Sequence, residues 1–128
     1  MESVVLDSSA VIALFNSADL HHGAIVAAMV GSSATFSIAT VMVTETLVAP
    51  ARISPRELEV FRSALAKSFG DFLPMDTQVA IKAATIRATT ALSTPDAIIS
   101  ATAALLGLTL WTCDKKLAKA HKGARLIG

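Results

Sequence analysis

Short apolar runs alternate along this chain with longer stretches in which apolar residues recur every three or four positions. Val4-Val5-Leu6 has no polar position and reads as a short buried strand. Ser8 or Ser9 can cap a helix to about Asn16, and a second helix, Gly23 to Val30, follows Asp19 and the His21-His22 pair. Gly31-Ser32-Ser33 is a turn, and Thr35 to Ile38 alternates as a second strand. A helix from Thr40 to about Ala49 is expected to end near Pro50. Ser54-Pro55 joins an N-cap to proline at the first helical position and starts a helix to about Ser68. Asp71 to Met75 reads as a third strand, and Asp76 or Thr77 caps a helix to about Thr90. Thr94 and Pro95 form a second cap-and-proline start, for a helix that stops at Gly107. Thr109 to Thr112 is a fourth strand, Asp114 can cap a short helix to about Ala120, and Arg125 to Ile127 reads as a fifth strand.

Apolar strands alternating with helices predict an α/β fold, with a mostly parallel sheet of about five strands covered by helices on both faces. The length of 128 residues fits a single domain, 1–128, with no repeat, low-complexity tract or linker. In such sheets ligands bind beyond the carboxyl ends of the strands, where the strand order reverses. Asp7 and Asp114 each follow a predicted strand and fall on that edge.

Four carboxylates stand in unusual settings. Asp7 closes the first apolar run, Glu45 interrupts the uncharged stretch from Leu20 to Val48, Asp96 opens an Ala/Ile helix, and Asp114 follows Leu108-Thr109-Leu110-Trp111. Asp7, Asp96 and Asp114 each also read as helix-start acids, and Glu45 as a solvated helix position if that face points outward. Glu45 shares its helical face with Val41 and Val48 and has no Lys or Arg within helical reach. Converging acids repel one another, and a hard divalent cation relieves that repulsion. Mg²⁺ suits an all-oxygen donor set that leaves room for water and phosphate. No Cys/His spacing for zinc is present: His21 and His22 are adjacent, and His121 stands alone. The chemistry that follows is metal-assisted hydrolysis of a phosphodiester. Ser8, Ser9 and Thr112 flank the acids and can bond phosphate or metal-bound water, or serve as caps and strand-end hydrogen bonds.

Hydrophobic residues make up 53% of the chain and charged residues 16%, an apolar excess that a second copy of the chain would cover. The start, Met1-Glu2-Ser3, lacks a basic region, so no signal peptide is expected, and no stretch is apolar enough for a membrane span. The lone Cys113 forms no internal disulfide and suits a reducing cytoplasm. Net charge is +1, yet Lys115, Lys116, Lys119, Lys122 and Arg125 follow Asp114 with no intervening acid. They either steer a polyanion or form a solvated helix with cations near its C-terminus.

The pattern resembles the PIN-domain ribonucleases, most of all the VapC-like toxins of type II toxin–antitoxin pairs. Val4-Val5-Leu6-Asp7-Ser8-Ser9-Ala10 is similar to that family's first motif, and Ser37-Ile38-Ala39-Thr40 with Thr44-Glu45-Thr46-Leu47 to its second. Leu92-Ser93-Thr94-Pro95-Asp96-Ala97-Ile98-Ile99 resembles the third, and Thr112-Cys113-Asp114-Lys115-Lys116-Leu117 the fourth. The resemblance spans nearly the whole chain. It implies a PIN-like three-layer sandwich and an endoribonuclease dependent on Mg²⁺, with Mn²⁺ as a substitute. It also implies a homodimer and inhibition by a cognate VapB-like antitoxin. Asp7, Glu45, Asp96 and Asp114 would be the catalytic, metal-holding acids. Arg87 falls where such toxins often carry an arginine, and Lys115 and Lys116 join it as expected RNA-binding positions.

Two alternatives within the family are a PIN-type nuclease of RNA processing or decay without an antitoxin, and a non-catalytic PIN-like interaction module. A phosphoacceptor domain of the response-regulator type fits poorly, because Asp7 has no acidic neighbour after Glu2 and no central strand ends in an acceptor.

Overall fold

The computed structural model describes residues 2–128. Its centre is a parallel sheet of β1 (Ser3–Leu6), β2 (Thr35–Ile38), β3 (Thr109–Thr112) and β4 (Arg125–Leu126), in the order β2-β1-β3-β4. The chain leaves β1 for β2 on one side and later returns to enter β3 on the other. The strand order thus reverses between β1 and β3, and the crevice beyond their carboxyl ends is where such a sheet holds ligands. The flanking helices are α1 (Ser8–Phe15), α2 (His22–Val30), α3 (Thr40–Ile53), α4 (Pro55–Phe69), α5 (Thr77–Thr89), α6 (Thr94–Leu106) and α7 (Lys115–Ala120). Among the described residues, no helix is long and apolar enough to cross a membrane.

Burial explains the apolar strands. Val4, Val5 and Leu6 are consecutive and fully buried, so both faces of β1 are covered. Removing side chains of this size from water stabilises by about 1.5–3 kcal/mol each. Register sets Phe36, Trp111 and Arg125 on one face of the sheet. Phe36 meets Trp111 edge-on with ring centroids 5.1 Å apart, and the Arg125 guanidinium lies 4.4 Å from the Trp111 ring centroid. The helix α6 is buried from Ala97 through Ala103, and its small residues let α5 pack against it.

Four expectations are corrected. Among the described residues four strands form rather than about five: Asp71 to Met75 makes a single bridge, Leu73 with Ala39. Pro74 follows at once and has no N–H with which to extend a ladder. The helix α3 passes through Pro50 to Ile53. The proline removes the one bond its missing N–H would have made to the preceding turn, and its buried ring lines a cavity with Ile12, Phe15 and Phe61. Asp7, not Ser8 or Ser9, caps α1, and Ser93, one residue before Thr94, caps α6. In both cases the side chain that reaches the free N–H three residues on sits one or two positions earlier than expected.

Candidate active site

The site begins where β1 ends. The β1–β3 register pairs Leu6 with Trp111, so the next pair along the strands is Asp7 with Thr112. Both side chains point to the same face, and the Asp7 N–H bonds the Trp111 carbonyl at 3.2 Å. Asp7 is 1% exposed. Its Oδ1 accepts from the Ala10 N–H at 3.0 Å and from the Ser9 hydroxyl at 2.7 Å. Its Oδ2 accepts from the Thr112 hydroxyl at 2.6 Å. These hydroxyls are themselves oriented by backbone donors: the Cys113 N–H donates to Ser9 Oγ and the Asp114 N–H to Thr112 Oγ1, each at 2.9 Å. Two short relays therefore run from the end of β3 into one carboxylate, which makes its burial tolerable.

Burial still wins. It pushes the Asp7 carboxyl above its ordinary range against the pull of Thr112, Ala10 and Ser9, and the charge of Asp96 adds to the rise. Asp96 occupies the first turn of α6, half-buried, with its N–H on the Ser93 hydroxyl at 3.4 Å. Its carboxyl is also raised, by burial first and then by the charge of Asp114, while Lys116 works the other way. Asp114 caps α7 by accepting from the Lys116 N–H at 2.9 Å. Asp7, Asp96 and Asp114 thus share one electrostatic neighbourhood at the reversal point of the sheet. Among the described residues the only ion pair is Arg62 with Glu59 on α4, so no cation pairs with these acids.

Glu45 stands on α3. It is half-buried and lines a cavity of about 310 Å³ with Ile12, Phe15, Ala49, Ile53 and Phe61. Its charge is absent from the influences on Asp7 and Asp96. Among the described residues, no three Asp, Glu, His or Cys side chains gather closely enough to close around a metal ion.

The remaining candidates divide by what they touch. Ser9 and Thr112 are engaged with Asp7, and half-buried Ser8 opens α1 beside them. Arg87 donates from Nε to the Leu92 carbonyl at 3.2 Å and from a terminal nitrogen to the Thr94 hydroxyl at 2.9 Å. It clamps the loop that leads into Asp96. Lys115 and Lys116 are exposed at the start of α7. Sequence reading missed the bond between Ser100 and His121, at 2.6 Å, because no local pattern links positions 21 residues apart. Cys113 is buried, and burial followed by the charges of Asp7 and Asp19 pushes its thiol up to about 11.

A family model described as PIN domain matches residues 4–123. No curated protein matches the chain. Among solved structures, Mycobacterium tuberculosis VapC20, described as a sarcin–ricin loop cleaving toxin, superposes with a TM-score of 0.80. It is 16% identical, with 98% of this chain and 99% of that chain covered. FitAcB from Neisseria gonorrhoeae gives a TM-score of 0.77 at 21% identity, covering 96% of each chain. A toxin–antitoxin complex from Klebsiella pneumoniae gives 0.73 at 26% identity, covering 90% of each.

Proposed function

The chain belongs to the PIN domain family, and from that premise we propose that it is a metal-dependent endoribonuclease and the toxin of a toxin–antitoxin pair. One observation carries the enzymatic part. At the sheet's reversal point the charge of Asp96 raises the proton affinity of Asp7 and that of Asp114 raises the proton affinity of Asp96, and none of the three acids is held in an ion pair. Such a set fits a hard divalent ion held by one or two carboxylates, with water and phosphate completing its shell. Asp7, Asp96 and Asp114 are the residues that would supply those one or two carboxylates to Mg²⁺ or Mn²⁺, with Glu45 as the fourth acid of the proposed set.

When bound, the ion supplies an acidified water and neutralises phosphate charge. The protein's own groups do the rest. Ser9, Thr112 and the Ala10 N–H hold the Asp7 carboxylate in one orientation. Asp96, half-exposed and raised in proton affinity, is suited to take a proton on a carboxylate oxygen. Lys115 and Lys116 bring positive charge to the rim, where a polyanion approaches.

The toxin role is supported by a toxin–antitoxin complex and a toxin among the structural relatives. We read residues 1–128 as one domain, acting in the cytoplasm on RNA and restrained by a VapB-like antitoxin. A homodimer would cover exposed apolar residues such as Val30, Ile53 and Ile81.

Purified protein incubated with structured and unstructured RNA tests the reading, with Mg²⁺, Mn²⁺ or EDTA present. Cleavage is expected only with metal and is lost in Asp7→Asn and Asp96→Asn. Cleavage that survives EDTA or either variant refutes the proposed chemistry. The toxin role predicts growth arrest on expression, abolished by Asp7→Asn, and a small neighbouring reading frame for a DNA-binding antitoxin. That no three acids among the described residues gather closely enough to enclose a metal ion favours a second reading, a PIN-like module that binds without cutting. Metal-independent RNA binding with no cleavage would select it.

A further inference from the structure

Ser100 is a buried hydroxyl in the apolar middle of α6, 4% exposed between Ile99 and Ala101. A buried hydroxyl needs a partner. It finds His121 Nδ1 at 2.6 Å. Ser100 lies four residues after Asp96, on the same face of α6. His121 is the C-cap of α7, and Asp114 is the N-cap of that same helix. Between them Leu117 is fully buried. With only six residues in α7, the two caps lie about 10 Å apart, so fixing one end restrains the other. Burial lowers the His121 pKa and keeps its half-buried ring uncharged near neutral pH.

We propose that the Ser100–His121 hydrogen bond is a tether that orders α7 and holds Asp114 beside Asp96. Both are positioning residues: they act through the two acids and touch no substrate. The proposal rests on the reading of Asp96 and Asp114 as metal-holding groups.

The test combines two measurements on the full chain, with folding checked by circular dichroism. Amide exchange at Lys116, whose N–H donates to Asp114, reports the order of the cap and needs no metal. Mn²⁺ affinity reports the consequence. Ser100→Ala and His121→Ala are expected to speed Lys116 exchange about five-fold, the equivalent of one net hydrogen bond, and to weaken Mn²⁺ binding to a similar degree. His121→Asn, which places an amide near the ring Nδ1, is expected to restore both to within about two-fold of wild type. Unchanged exchange in the alanine variants overturns the tether. So does unchanged Mn²⁺ affinity alongside faster exchange, or an Asn variant no better than Ala. A wild-type chain that binds no Mn²⁺ at all overturns the metal-site reading, and the tether's role in it, even where exchange responds as expected.

Discussion

Thr112 donates its hydroxyl proton to Asp7 Oδ2 across 2.6 Å of space and 105 positions of sequence. The same Thr112 oxygen accepts the Asp114 N–H. One hydroxyl therefore joins two site acids, and it does so because the parallel register of β1 and β3 sets residues 7 and 112 side by side. Thr112→Val should remove both bonds, leave a backbone N–H unpaired, and cost about 2–3 kcal/mol of stability. It should also raise the Asp7 pKa further, since Thr112 is the strongest influence holding it down. The pH at which Mn²⁺ binding is half-complete is then expected to move upward. Thr112→Ser should leave both properties close to wild type. Urea unfolding and a pH series of Mn²⁺ titrations check this, and a valine variant with wild-type pH dependence would show that the hydroxyl does not govern Asp7.

The acid cluster has a cost that stability measurements can read. The folded-state pKa of Asp96 is raised above its unfolded value, so the ionised form is disfavoured by folding. Its contribution to stability is complete below the unfolded pKa, near 3.8, and is lost as pH rises through the higher folded value. Asp96→Asn should therefore be more stable than wild type at pH 7, by up to about 1 kcal/mol once solvent screening of a half-exposed group is allowed for. The gain should shrink as pH falls toward 4 and the wild-type carboxyl becomes protonated. Mg²⁺ should raise the melting temperature of wild type and leave that of Asp96→Asn nearly unchanged. Thermal unfolding at several pH values decides it. A variant less stable than wild type at pH 7 would mean that Asp96 matters more to the α6 dipole than to the repulsion.

What the sequence revealed, and what it hid, follows from the range of each interaction. Strand–helix alternation gave the parallel sheet, and the position of Asp7 and Asp114 after strands put both at its carboxyl edge, because both are local features. The strand expected at Asp71 to Met75 stops at one bridge because Pro74, inside that run, has no N–H with which to extend the pairing of Leu73. The helix α3 outran its proline because tertiary packing overrode a local rule. Composition and family likeness group Glu45 with the other acids, while its cavity neighbours Ile12, Phe15 and Phe61 come from other helices and left no local signature. The link between Ser100 and His121 had no signature at all, since it depends on how α7 docks beside α6.

Cys113 sits in the polypeptide between two site residues but is chemically silent. It is 8% exposed, and its thiol pKa is raised to about 11. At pH 8 only about one thiol in a thousand is ionised, and the thiolate is the reactive form. Labelling by a disulfide reagent at pH 8 should therefore run at less than about 1% of the rate seen in denaturant. Rapid labelling of the native chain would reveal that the end of β3 opens to solvent.

Arg87 offers the sharpest contrast between holding a substrate and holding the protein. Its Nε bonds the Leu92 carbonyl and a terminal nitrogen bonds the Thr94 hydroxyl, on either side of the Ser93 cap. A planar guanidinium can span both acceptors at once, whereas an ammonium cannot match that fork. Loss of the clamp frees the loop entering α6 and loosens Asp96 at its first turn. Arg87→Ala should cost about 1 kcal/mol of stability. In RNA cleavage it should lower kcat by about ten-fold with little change in KM, because a misplaced acid disturbs the reacting geometry more than substrate binding. Arg87→Lys should behave like Ala rather than like wild type. Were Arg87 instead a phosphate contact, KM would rise, kcat would hold, and lysine would substitute well. Steady-state kinetics on a short RNA, with urea unfolding of the same variants, separates the two roles.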